Sequence, residues 1–120
     1  MTLQECYKAM GADYDDVMGR LRSERLVQKF VLKFLDDGSF QLLCDAMAEG
    51  RIEEAFRASH TIKGMCQNLG FTKLGQSSHD LTEALRGGKS PAADGLLEQV
   101  KADYAQTAGT ILTFKQSAGL

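Results

Sequence analysis

The sequence predicts an all-α protein, an up-and-down four-helix bundle with additional short N-terminal helices. Three observations carry this. Proline occurs once in 120 residues, and the scattered β-branched residues never alternate with polar ones as in a strand. Apolar residues instead recur at spacings of three and four, the period of a helix with one buried face. Links between the later helical segments are only a few residues long, which makes neighbouring helices antiparallel. A chain of this length buries roughly two thirds of its unfolded surface. One domain over residues 1–120 is therefore expected, with the bundle core from about residue 24 to about residue 117.

Punctuation marks the elements in order. The segment LQECYKAMG (3–11) reads as a short amphipathic helix that Gly11 ends. Asp13 is placed to cap the next helix, DYDDVMGRLRS, where Asp15 and Asp16 suit the positive end of the helix dipole. The run ERLVQKFVLKFLDDG sets Leu26, Phe30, Val31, Phe34 and Leu35 at core spacing and stops near Gly38. Ser39 is placed to cap SFQLLCDAMAEG, with Leu42, Leu43, Ala46 and Met47 as its apolar stripe and Gly50 as its terminator. One long, broken helix is the alternative for these two segments. The next helix spans about Arg51 to Asn68 and ends at Gly70; Thr72 then caps a helix running to Leu85 or Arg86 before Gly87-Gly88. Ser90-Pro91 is a start signal for the last helix. That helix carries Leu96, Leu97, Val100, Tyr104, Ala108, Ile111, Leu112 and Phe114, and the tail QSAGL is expected to fray.

Composition excludes several classes of function. Lys and Arg number 14 against 16 Asp and Glu, a net charge of −2. No basic surplus points to nucleic acid or an anionic membrane as partner. No apolar run approaches the ~20 residues of a membrane span, and no charged-then-apolar leader opens the chain. A cytoplasmic location is expected. Cys6, Cys44 and Cys66 form no CxxC pair, so reduced thiols behaving as small apolar residues are expected. Met10, Met18, Met47 and Met65 read as core fillers, and Arg20, Arg22 and Arg25 as solvated helix faces.

One stretch carries chemistry: ASHTIKGMCQNLG, residues 58–70. Stepped at about 100° per residue, Ile52, Ala55, Ser59, Ile62, Cys66 and Leu69 form a buried stripe centred more than about 100° from His60. His60 therefore faces solvent. Phe56, Lys63, Gly64 and Gln67 lie within about 60° of it, and Arg57 at a similar angle on the other side. The outward face thus presents an imidazole, a cation one turn on, an aromatic ring and a missing side chain. Glycine inside a helix costs roughly 1 kcal/mol against alanine; here it leaves a notch through which another molecule can approach His60. Cys66 lies on the buried side and His79 on another helix, so metal-ligand spacing is absent and no metal site is expected.

The run His60-Thr61-Ile62-Lys63-Gly64, preceded by Ala58-Ser59 and followed by Asn68-Leu69-Gly70, resembles the signature of histidine-containing phosphotransfer (HPt) domains. The shared pattern is a small residue before the histidine, an aliphatic two after it, Lys-Gly next, and a closing leucine–glycine. The resemblance runs from about Leu26 to about Phe114. It implies a four-helix bundle that carries a phosphoryl group between receiver domains of two-component signalling. His60 would be the phosphoacceptor, Lys63 the cation near the phosphate, and Gly64 the clearance for an incoming receiver. Many members place on the next helix a glutamine that bonds the imidazole. Thr82 falls at that position and is shorter, so Gln67 or a water is the alternative partner for the ring. Phe56 and Arg57 complete the supporting contacts. Met65 and Cys66 replace the small polar residues common after the glycine.

These residue types suit the chemistry. An imidazole ordinarily titrates near pH ~6.5, which leaves much of it as a neutral nucleophile at cellular pH. The expected function is a phosphorelay intermediate. It accepts a phosphoryl group on His60 from a receiver aspartate or a kinase and passes it to another response regulator. Partners would be receiver domains and a hybrid histidine kinase, with magnesium supplied by the receiver and no cofactor of the chain's own. The family implies a monomer. With no Gly-rich nucleotide loop and no second domain for ATP, the chain is expected not to be a kinase. The alternative is a helical adaptor that binds receivers without phosphorylation. A hydrolase or metal enzyme lacks any nucleophile–base–orienter set.

Overall fold

The computed structural model describes Met1–Leu120. Seven helices and no strand form: α1 (Leu3–Met10), α2 (Tyr14–Leu21), α3 (Glu24–Asp36), α4 (Ser39–Ala48), α5 (Ile52–Leu69), α6 (Thr72–Leu85) and α7 (Ala93–Ser117). The helix α5 packs against α4 and α6, α6 against α7, and α3 touches both α5 and α7. These helices make the bundle, and α1 and α2 add to it through α7 and α3. One continuous apolar cluster draws on all seven helices, from Leu3 and Cys6 to Ile111 and Phe114. No helix is long and apolar enough to cross a membrane.

Local chemistry explains the starts of the first three helices. Thr2 and Glu5 form a reciprocal capping box at the start of α1, and Gly11, at φ 65°, closes it in the left-handed region. Asp13 caps α2 by accepting the Asp16 amide, as its place in the sequence implies. Ser23 does the same for α3 through the Leu26 amide.

Two expected caps are displaced. Ser39 is the first residue of α4 rather than its cap; its amide donates to Asp37 Oδ1 at 2.8 Å, so Asp37 supplies the oxygen. Asp37 is itself extended (φ −75°, ψ 133°), which separates α3 from α4 and rules out a single long helix. Thr72 begins α6, and the residue before it is Phe71, which is buried. The Phe71 ring lies 5.7 Å from Tyr7 and 5.2 Å from Phe34, so packing fixes this corner. The Thr72 hydroxyl donates instead to the Gly11 carbonyl at 3.2 Å. Ser90 accepts the Ala92 amide at 3.1 Å, but Pro91 and Ala92 form a turn and the helix proper starts at Ala93.

The core also departs from the expected stripes at single positions. Val27 is fully buried in α3, while Leu26, Phe30 and Leu35 are only half-buried. Leu42 (44% exposed) and Leu112 (47% exposed) face outward. Thr107 takes a buried place on α7. Met10, Met18, Met47 and Met65 lie in the core or against it, as expected. In the tail, α7 continues to Ser117, and the Leu120 amide donates back to the Lys115 carbonyl at 3.0 Å. Arg20 is exposed, as expected, but its guanidinium is held in place. It pairs with Asp16 at 2.5 Å and donates to the carbonyls of Gln67 and Asn68, both at 2.7 Å.

Candidate functional site

The buried face of α5 is Ala55, Ala58, Ser59, Ile62, Cys66 and Leu69, with Ile52 half-buried at its start. This stripe rotates His60 outward, and the imidazole is exposed in mid-helix. Lys63 is half-buried one turn on, Gln67 is exposed a further turn along, and Gly64 lies between them. A Cβ added at Gly64 would meet no atom within 4 Å. The space beside the histidine is thus open.

Phe56 stands on the other side of His60, with ring centroids 6.2 Å apart at 42°. Arg86, just past the end of α6, lies over the Phe56 ring, its guanidinium carbon 5.1 Å from the centroid. Arg86 in turn grips Glu83 through Nε and Nη2, both at 3.0 Å. Those bonds are the main reason the Glu83 carboxyl is held below its ordinary range; burial opposes them, and the charges of Arg86, His79 and Lys63 add to them. The face around His60 therefore carries cations from two helices. Arg57 points away and pairs with Glu53 at 3.2 Å, a contact between exposed side chains.

Arg86 and Glu83 carry no signal in the sequence that links them to His60. Their place depends on how α6 registers against α5, which hydrophobic periodicity does not specify. Thr82 shows the same limit. Thr82, which counting from Gly70 puts at the place of an imidazole-bonding glutamine, is fully buried. Its hydroxyl donates to the Ser78 carbonyl at 2.6 Å and meets Ser59 Oγ at 2.9 Å, with no hydrogen bond to His60. Thr82 instead makes a polar tie between the two helices beneath the histidine. No group of three or more His, Cys, Asp or Glu side chains is gathered to hold a metal ion.

The Hpt domain family matches residues 25–110, more than two thirds of the chain, and the chain belongs to that family. Comparison with curated proteins and with solved structures found no match. The family serves phosphotransfer in two-component signalling and works with receiver domains and histidine kinases; its members are phosphocarriers. The bundle and its outward-facing histidine helix fit that membership.

Proposed function

We propose that His60 is the phosphoacceptor of a phosphorelay, taking a phosphoryl group from a receiver aspartate and passing it to another response regulator. The observation that carries this is the exposed imidazole beside the open space at Gly64. In this reading a receiver loop approaches the ring through that space.

In the transfer, an imidazole nitrogen attacks phosphorus and forms an N–P bond. The P–O bond to the aspartate breaks, and its electron pair leaves with the carboxylate. The resulting phosphoramidate is itself a donor, so the reverse sequence hands the group on. The phosphoryl group brings nearly two negative charges. Lys63, one turn along α5, offsets part of that charge, and Phe56 backs the ring on the side away from Gly64. Such transfer rests on alignment and neutralisation more than on covalent machinery. In this reading magnesium is supplied by the receiver.

Receivers phosphorylated in vitro and mixed with this protein provide the test. Acid-labile label is expected on wild type and not on His60→Gln. Equal labelling of both removes His60 from the role. If wild type never takes label while His60→Ala binds receivers normally, the protein is an adaptor on the same surface.

A further inference from the structure

The end of α5 leaves backbone carbonyls without intrahelical partners, as every helix does. This helix also has no basic residue in its last turn to offset the negative end of its dipole. Here the donors come from elsewhere. The Cys66 carbonyl accepts from the Gly70 and Phe71 amides. The Gln67 and Asn68 carbonyls share Arg20 Nη2, both at 2.7 Å. The Leu69 carbonyl accepts from the buried Tyr7 hydroxyl at 2.7 Å. The Gly70 carbonyl accepts from the Asp13 amide at 2.8 Å.

Every carbonyl from Cys66 to Gly70 is thus satisfied, and those of residues 67–70 are satisfied entirely by α1, α2 and the link between them. These donors lie outside the matched family segment, which begins at residue 25. The chain adds its own N-terminal piece, and that piece fastens the histidine helix. It also borders the face that carries His60. Asp16 of α2 and Gln67 of α5 line one open cleft of about 450 Å³, together with Gln76 and His79 of α6.

We infer that Arg20 is a positioning residue of the phosphotransfer site, and that α1 and α2 act as a clamp on the C-terminal turn of α5. The inference rests on His60 being the phosphoacceptor only for its effect on transfer; the clamp itself does not depend on that. The guanidinium does two things at once. Its donors complete the carbonyls of Gln67 and Asn68, and its charge sits at the negative helix end. Holding that turn wound fixes Gln67 on the face that also carries His60, Lys63 and Gly64. A receiver then meets a preformed surface and does not have to order it.

Arg20→Ala, Arg20→Lys and Arg25→Ala, made in the full chain, separate the parts of this claim. Amide hydrogen exchange at Leu69, Gly70 and Phe71 reads the clamp, and single-turnover transfer from a phosphorylated receiver reads the site. Arg20→Ala is expected to speed exchange at these amides by roughly tenfold or more, since bonds to a charged donor are lost. It is expected to lower the transfer rate at saturating receiver, with little change in the half-saturating concentration. Arg20→Lys restores the charge without the planar fork and should fall between the two. Arg25→Ala, on an exposed side chain, should match wild type in both readouts. Unchanged exchange in Arg20→Ala overturns the clamp. Faster exchange with an unchanged transfer rate overturns the positioning role and leaves only a structural one. If wild type takes no label on His60, the proposed function fails instead, and the exchange comparison alone then upholds or overturns the clamp.

Discussion

A Cβ built on Gly64 would meet nothing within 4 Å, whereas one on Gly70 would lie 2.6 Å from the Asp13 carbonyl oxygen. Gly70 also holds φ at 75°, where an L side chain is strained. The two glycines are therefore separable by experiment. Gly64→Ala should stabilise the protein by about 1 kcal/mol, the ordinary helix-interior gain. Gly70→Ala should destabilise it by at least ~1–3 kcal/mol, because both the backbone and the Asp13 contact must give. Urea unfolding with matched slopes reads both. A destabilised Gly64→Ala would mean that Gly64 is a close-packing point and not a notch. At this scale the sequence was informative about Gly64, because its angle relative to the apolar stripe is local. It could not reveal that Gly70 also admits the Asp13 backbone, 57 residues away in the chain, since that approach is tertiary.

At the scale of elements, α5 and α6 share the most extensive interface in the molecule, and a polar tie lies within it. Ser59 and Thr82 are both fully buried, and each hydroxyl also reaches a backbone carbonyl of its own helix, Phe56 and Ser78. Thr82→Val keeps the shape and removes the hydroxyl. Because Ser59 retains the Phe56 carbonyl, the expected cost is only about 1 kcal/mol. Transfer to His60 should continue at the wild-type rate, since Thr82 makes no hydrogen bond to that ring. A loss of about tenfold in transfer with unchanged stability would reinstate Thr82 as the orienting partner. The helices themselves were legible, because their period and their closing glycines are written locally. The caps at Ser39 and Thr72 were not. Both residues have the right chemistry, but Asp37 and the packing of Phe71 fix the chain direction before they can act.

Across the whole molecule, the thiols report how well the core excludes water. Burial pushes Cys6 up to about 11 and Cys66 up to about 12 from an ordinary value of 9.0. It raises half-buried Cys44 too. Tyr7 is raised as well, mainly by burial, with the nearby Cys6 adding. A raised value in the folded state means that the unfolded chain gives up these protons first. The associated stability is intact below about pH 9 and declines as the pH rises toward 11 and 12. Unfolding free energy should therefore fall across that alkaline window, and replacing Cys66 by Ala should flatten part of the fall. An unchanged slope in that variant would show that the Cys66 thiol is not titrating from within the core. A disulfide reagent at neutral pH should modify Cys44 first and reach Cys6 and Cys66 only on unfolding, as mass spectrometry of the labelled peptides would show.

The sequence by itself determined the helical class, the outward direction of His60 and the company of Lys63 and Gly64. All of these follow from one helix and its 3.6-residue period. The family signature lies in that same local stretch and was readable for the same reason. Only the tertiary structure decided that Thr82 turns inward to Ser59, that Arg86 lies over Phe56, and that Arg20 and Tyr7 complete the end of α5. These contacts join residues on different helices. They depend on register and crossing, which side-chain volumes across the whole core set together and no local spacing encodes.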